Sequence, residues 1–99
     1  MNINVVQNEE KTTISLSGRL DAITSETLQE ILIPKFGSAK YVELDFSGLV
    51  FISSSGLRVL LMGEKTAKAK GSRQTIVNVS PEVMEVFEMT GFSEVLHFE

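Results

Sequence analysis

Three serines and a glycine, Ser53-Ser54-Ser55-Gly56, precede a helix-patterned run in which Leu57, Leu60 and Leu61 share a face widened by Val59 and Met62. Hydroxyls at such a point have three chemistries open to them. A serine oxygen can cap the helix by accepting a bond from a first-turn N–H group. One cap is enough, so three serines exceed that need. A hydroxyl there can also carry phosphate, whose charge suits the positive end of the helix dipole and the free N–H groups. The third chemistry is nucleophilic, and it needs a base. The chain has one histidine, His97, and no G-x-S-x-G elbow. His97 alternates with Leu96 and Phe98 and reads as an exposed edge-strand residue, which leaves a serine hydrolase as the weakest of the three readings.

Other chemistry-bearing residues are sparse. Gly48 and Gly56 flank the loop, but no lysine follows as a P-loop requires, and no G-x-G-x-x-G occurs. Asp21 and Asp45 each follow an apolar strand residue. Without histidine beside them they are a thin metal site and read as turn and strand-end residues. No metal or cofactor is therefore expected. Lys65, Lys68, Lys70 and Arg73, with Arg58, make up five of the nine cations. They form either a solvated helix end or a surface that steers an acidic protein.

The elements that position these residues follow from periodicity. Residues 3–7 and 12–18 read as strands joined by the polar turn Asn8-Glu9-Glu10-Lys11, an antiparallel hairpin. A helix is expected from about Thr24 to Leu32, with Thr24 as N-cap, Ile23 and Leu28 as a hydrophobic staple, and Pro34 as its stop. Val42, Leu44 and Phe46 alternate with Tyr41, Glu43 and Asp45 in a central strand that Ser47-Gly48 is expected to break. A short apolar bridge, Leu49 to Ile52, then reaches the serines. The next helix ends at Gly71, a left-handed C′ residue, with lysines in its last turns. Gln74 to Val79 reads as a strand. Ser80-Pro81 starts a third helix, with Val79 stapled to Met84, and Gly91 ends it. Val95 to Phe98 reads as a short last strand.

This order predicts a single α/β domain over residues 1–99, with crossovers between parallel strands. Polar residues at alternate strand positions imply that helices cover mainly one face of a four- to five-stranded mixed sheet. The chain then marches across the sheet in one direction, as a β/α superhelix. The bulk numbers agree: 42% hydrophobic and 22% charged residues describe a globular chain. A net charge of −4 argues against nucleic acid as a partner. The absence of cysteine excludes disulfides and thiolate metal sites. With no signal sequence, lipidation motif or membrane-length apolar run, the expected location is cytoplasmic.

Three signatures in order along the chain resemble the STAS domain of bacterial anti-sigma factor antagonists. They are Gly18-Arg19-Leu20-Asp21-Ala22; Leu44-Asp45-Phe46-Ser47 with Ser53-Ser54-Ser55-Gly56-Leu57; and Ser80-Pro81-Glu82-Val83 with Met89-Thr90-Gly91-Phe92. The resemblance implies a non-enzymatic switch that docks on an anti-sigma factor of the serine protein kinase type and frees a sigma factor. It implies phosphorylation at Ser54, with Ser55 and Ser53 as alternatives, reversed by a serine phosphatase. The implied docking surface comprises Asp21, Ser53, Ser54, Ser55, Gly56 and Arg58. At Ser53 the family usually has aspartate, so this chain has one charge fewer beside the acceptor and three candidate hydroxyls. Some domains of the family serve instead as non-phosphorylated subunits, for instance beside transporter ATPases, and that alternative stays open here.

Overall fold

The hairpin forms because Asn8 Oδ1 gathers the N–H groups of Glu10 and Lys11, at 3.2 and 2.8 Å, and turns the chain. It joins β1 (Asn2–Gln7) to β2 (Lys11–Leu20) in antiparallel register, Ile3 opposite Leu16 and Val5 opposite Ile14. The computed structural model describes all 99 residues. After β2 come α1 (Ala22–Leu32), a 3₁₀ turn (Ile33–Gly37) and β3 (Tyr41–Ile52). Then follow α2 (Ser54–Lys70), β4 (Arg73–Val77), α3 (Pro81–Thr90) and a last 3₁₀ turn (Phe92–Glu94). β2, β3 and β4 are parallel, and the sheet order β1-β2-β3-β4 is the expected march in one direction.

The core lies on one face of the sheet. Ile14, Leu16, Val42, Leu44, Phe46 and Ile76 are buried there with Leu28 and Leu32 of α1, Leu57 and Leu60 of α2, and Val83 and Phe87 of α3. Phe87 stacks on Phe46 at 6.3 Å, and buried Gln74 donates to the Leu60 carbonyl of α2 at 3.0 Å, so α2 and α3 sit over the same face. The opposite face carries Thr13, Ser15, Glu43 and Asp45, with Lys11 and Glu43 paired at 3.0 Å. Helices on one face satisfy the alternation read from the strands.

Several expected boundaries move. The first helix begins two residues early, because Asp21 and not Thr24 is its N-cap. The Asp21 carboxylate accepts from the N–H groups of Ile23 and Thr24, and the Thr24 hydroxyl accepts from the Asp21 N–H, a reciprocal capping box. Ile23 thereby leaves the staple position. The other end of the helix holds: α1 stops at Leu32 as expected, and Pro34 sits near the start of the 3₁₀ turn that follows, where a missing N–H costs nothing. β4 spans Arg73–Val77, shorter at its far end than expected, because Asn78 turns the chain at φ 57°.

Ser47-Gly48 does not break the central strand. β3 runs on to Ile52, paired with β2, and absorbs an extra residue at two places: Ser15 faces Asp45 but Ser17 faces Gly48, and Gly18 faces Leu49 but Arg19 faces Phe51. Each bulge shifts the inside–outside phase, so the buried positions become Phe46, Leu49 and Ile52. The last strand shrinks to one bridge, Ile76 with Phe98, because residues 92–94 wind into a 3₁₀ turn. Phe98 packs on Phe87 at 5.1 Å.

Candidate functional site

Leu20 and Ile52 are register partners at the ends of β2 and β3, so the residues that follow them, Asp21 and Ser53, emerge side by side. The Ser53 N–H donates to the Leu20 carbonyl at 2.9 Å, which ties the serine turn to the end of β2. Asp21 caps α1, Ser53 caps α2 and Ser80, three residues past β4, caps α3. Three helix N-termini thus share the rim at the carboxyl ends of the parallel strands, where α/β sheets commonly present their sites.

The three serines have different tasks. Ser53 is extended (φ −96°, ψ 174°) and its hydroxyl oxygen accepts from the Gly56 N–H at 3.3 Å. α2 therefore starts at Ser54, three residues before Leu57, where the apolar run begins. Ser54, the first helical residue, is exposed. Ser55 is half-buried and faces a groove of about 450 Å³ between α1 and α2, lined also by Ile23, Glu26, Gln29, Arg58 and Met62. Arg58 is exposed four residues beyond Ser54, on the same helix face. Gly56 is buried against the strand ends, with no room for a side chain: a Cβ there would fall 2.8 Å from Ile52 Cγ1 and 2.9 Å from Leu20 Cγ.

The rim also carries apolar residues that the sequence reading did not assign to a site. Ile23 is 77% exposed and Val50 69%. Phe51 lies under the Arg19 guanidinium, 3.9 Å from its ring centre, a cation–π contact that joins the ends of β2 and β3. A signal existed in the run Leu49-Val50-Phe51-Ile52. Four successive apolar residues in a sheet covered on one face cannot all point inward.

The Asp21 carboxyl is held below its ordinary value of 3.8, first by the Thr24 N–H and then by the Thr24 hydroxyl, with Ile23 and Arg19 adding to this. Asp45 is lowered chiefly by the Asn78 side-chain amide, 3.0 Å away, and stands on the open sheet face instead of at a strand end. The two are a helix cap and a sheet-face hydrogen-bond acceptor, and no cluster of three or more His, Cys, Asp or Glu side chains has metal-binding geometry. His97 is exposed at the sheet edge, as expected, next to the bridge of Phe98 with Ile76, and its Nε2 lies 3.2 Å from a carboxylate oxygen of Glu64, a residue buried on α2. Glu64 is ten residues along α2 from Ser54, about 15 Å at 1.5 Å per residue. The imidazole is therefore engaged away from the serines. No helix is long and apolar enough to cross a membrane.

Comparison with known proteins matches residues 2–99 to the STAS domain family. The anti-sigma-B factor antagonist of Bacillus subtilis (strain 168) is 24% identical over 96 residues, covering 97% of this chain and 88% of that protein. BtrV of Bordetella bronchiseptica is 33% identical over 78 residues, 78% of this chain and 67% of that protein. The anti-sigma factor antagonist SpoIIAA, solved in its unphosphorylated form, superposes with a TM-score of 0.79 at 22% identity, covering 99% of this chain and 87% of that one. Its phosphorylated form, from Bacillus, gives 0.78 at 23% identity, covering 99% and 91%. With the family model spanning nearly every residue and the fold shared throughout, this chain belongs to the STAS domain family.

Proposed function

We propose that this chain is an anti-sigma factor antagonist that docks through the serine rim and is switched by phosphorylation of Ser54. The observation that carries the reading is the division of labour among the serines. Ser53 holds the cap, whereas Ser54 stands exposed at the first position of α2, on a rim that also exposes Ile23 and Val50. The B. subtilis relative and the two SpoIIAA forms support both the partner class and the modification. The partner is an anti-sigma factor with serine kinase activity, opposed by a serine phosphatase, in the cytoplasm. The chain itself is a binding protein with no catalytic group of its own. Docking covers Asp21, Ser54, Ser55 and Arg58, with Ile23 and Val50 as apolar anchors and the groove between α1 and α2 receiving a side chain of the partner.

A phosphate on Ser54 adds about −1.5 to −2 charges at a helix N-terminus. The dipole favours it by roughly 0.3–1 kcal/mol, so the fold tolerates the modification. In a docked interface the same charge loses water without gaining a partner, at a cost of several kcal/mol. The switch therefore acts by repulsion and desolvation at the contact, with no refolding.

Ser54→Asp should leave circular dichroism and the thermal midpoint nearly unchanged while weakening binding to the anti-sigma factor at least about tenfold. Ser54→Ala should keep binding and lose phosphate incorporation by the kinase, read by mass spectrometry of the modified peptide. Normal binding of Ser54→Asp would contradict this mechanism, and phosphate found on Ser55 or Ser53 would move the acceptor.

A further inference from the structure

The two edges of the sheet are unlike. β4 is five residues long, and its edge is covered by the C-terminal segment: Ile76 donates to the His97 carbonyl at 2.9 Å and accepts from the Glu99 N–H at 3.0 Å. At the other edge β1 pairs with β2 alone. Its sequence, Asn2-Ile3-Asn4-Val5-Val6-Gln7, has no charge and no proline, and its register with β2 runs without a bulge. Charges, prolines and bulges are the usual means of blunting an edge against pairing. Val5 and Val6 are 36% and 58% exposed.

We infer that two copies of this chain pair through β1, antiparallel, into one continuous eight-stranded sheet. What satisfies the outer backbone groups of β1 is another extended, uncharged strand, and β1 is itself such a strand. Faces and register narrow the arrangement further. Ile3 and Val5 lie opposite the buried Leu16 and Ile14, on the helix-covered face, whereas Asn2, Asn4 and Val6 lie with Ser17, Ser15 and Thr13 on the open face. A two-fold axis normal to the sheet keeps each face continuous only if residues of one face meet residues of the same face. Centred on Asn4, it sets Ile3 against the partner's Val5, Asn2 against the partner's Val6, and Asn4 against its own copy. A centre at Ile3 pairs only Asn2 to Asn4, and one at Val5 sets Ile3 against the partner's polar Gln7, whereas the Asn4 centre joins the two apolar residues of the helix-covered face. The covered edge of β4 prevents β1 from pairing there, which would give an open filament, and leaves the closed pair. The serine rim, at the ends of the strands, stays free.

Sedimentation of the 99-residue chain between about 10 µM and about 1 mM should show a concentration-dependent dimer. Asn4→Lys and Asn4→Asp each oppose like charges across the axis. Asn4 is exposed, so each variant should keep the wild-type circular dichroism while dimerising at least about tenfold more weakly. An equal mixture of the two should recover the wild-type dimer. A dimer untouched by either charge overturns the β1 assignment. A wild-type chain that stays monomeric at about 1 mM also overturns it, and leaves the edge to an extended segment of another protein.

Discussion

Gly56 sets how closely the start of α2 approaches the strand ends. An alanine methyl at that position would meet Ile52 Cγ1 at 2.8 Å and Leu20 Cγ at 2.9 Å, branch atoms of buried side chains that cannot swing aside. Gly56→Ala is expected to cost about 1–3 kcal/mol of overpacking in denaturant unfolding. Relief of that contact would push the helix start outward and move Ser54 relative to Ile23 and Val50. Partner binding should therefore fall by more than the lost stability explains, measured under conditions where the variant is fully folded. Equal stability of the two proteins would show that the approach is looser than these distances imply. Ser53 acts at the same scale. Its oxygen on the Gly56 N–H is the reason the helix begins early enough to place Ser54 inside its first turn.

The helices end as deliberately as they begin. Gly71 and Gly91 both occupy the left-handed region, at φ 71° and 82°, and the Gly91 N–H returns to the Glu88 carbonyl. A side chain at Gly91 would meet open space, so the penalty for one is conformational alone. Gly91→Ala is expected to lower stability by about 1 kcal/mol, read from the urea midpoint at unchanged slope. An unchanged midpoint would mean that the end of α3 relaxes without loss. The two bulges of β3 are the other device at this scale. They shift the buried phase by one residue each, tuck Leu49 and Ile52 under the core, and turn Val50 out toward the rim.

Across the whole molecule, acid stability is set by carboxylates better accommodated in the folded state than in the unfolded chain. Asp21 and Asp45 both titrate below 3.8 when folded, Asp21 through the capping bonds of Thr24 and Asp45 through Asn78. The unfolded chain therefore takes up these protons first as the pH falls. Their contribution is complete above the unfolded value of 3.8 and is lost as pH drops through the lower folded values. Asp45→Asn should lower the thermal midpoint at pH 7, where the carboxylate's contribution is complete, and flatten its fall below about pH 4, where the wild type loses the same contribution. An identical acid limb in the variant would remove Asp45 from that balance.

What the sequence determined by itself was whatever depends on local period and local caps. Alternation in Val42, Leu44 and Phe46 gave a strand with one buried face, and Ser80-Pro81 with Gly91 bounded α3. The serine turn stood out because three hydroxyls before a glycine are more than one cap requires. Tertiary structure decided what depends on residues distant in the chain. β3 continues through Ser47-Gly48 because β2 supplies pairing partners there, and no local propensity records that. Asp21 displaces Thr24 as cap because β2 delivers it, already extended, to the helix start. Glu64 and His97, distant in sequence and both polar, come within 3.2 Å because the C-terminal segment crosses back to β4 beside α2. Ile23 and Val50 look like core residues in one dimension. They become an exposed rim only when capping moves one out of its staple and bulges turn the other out of phase.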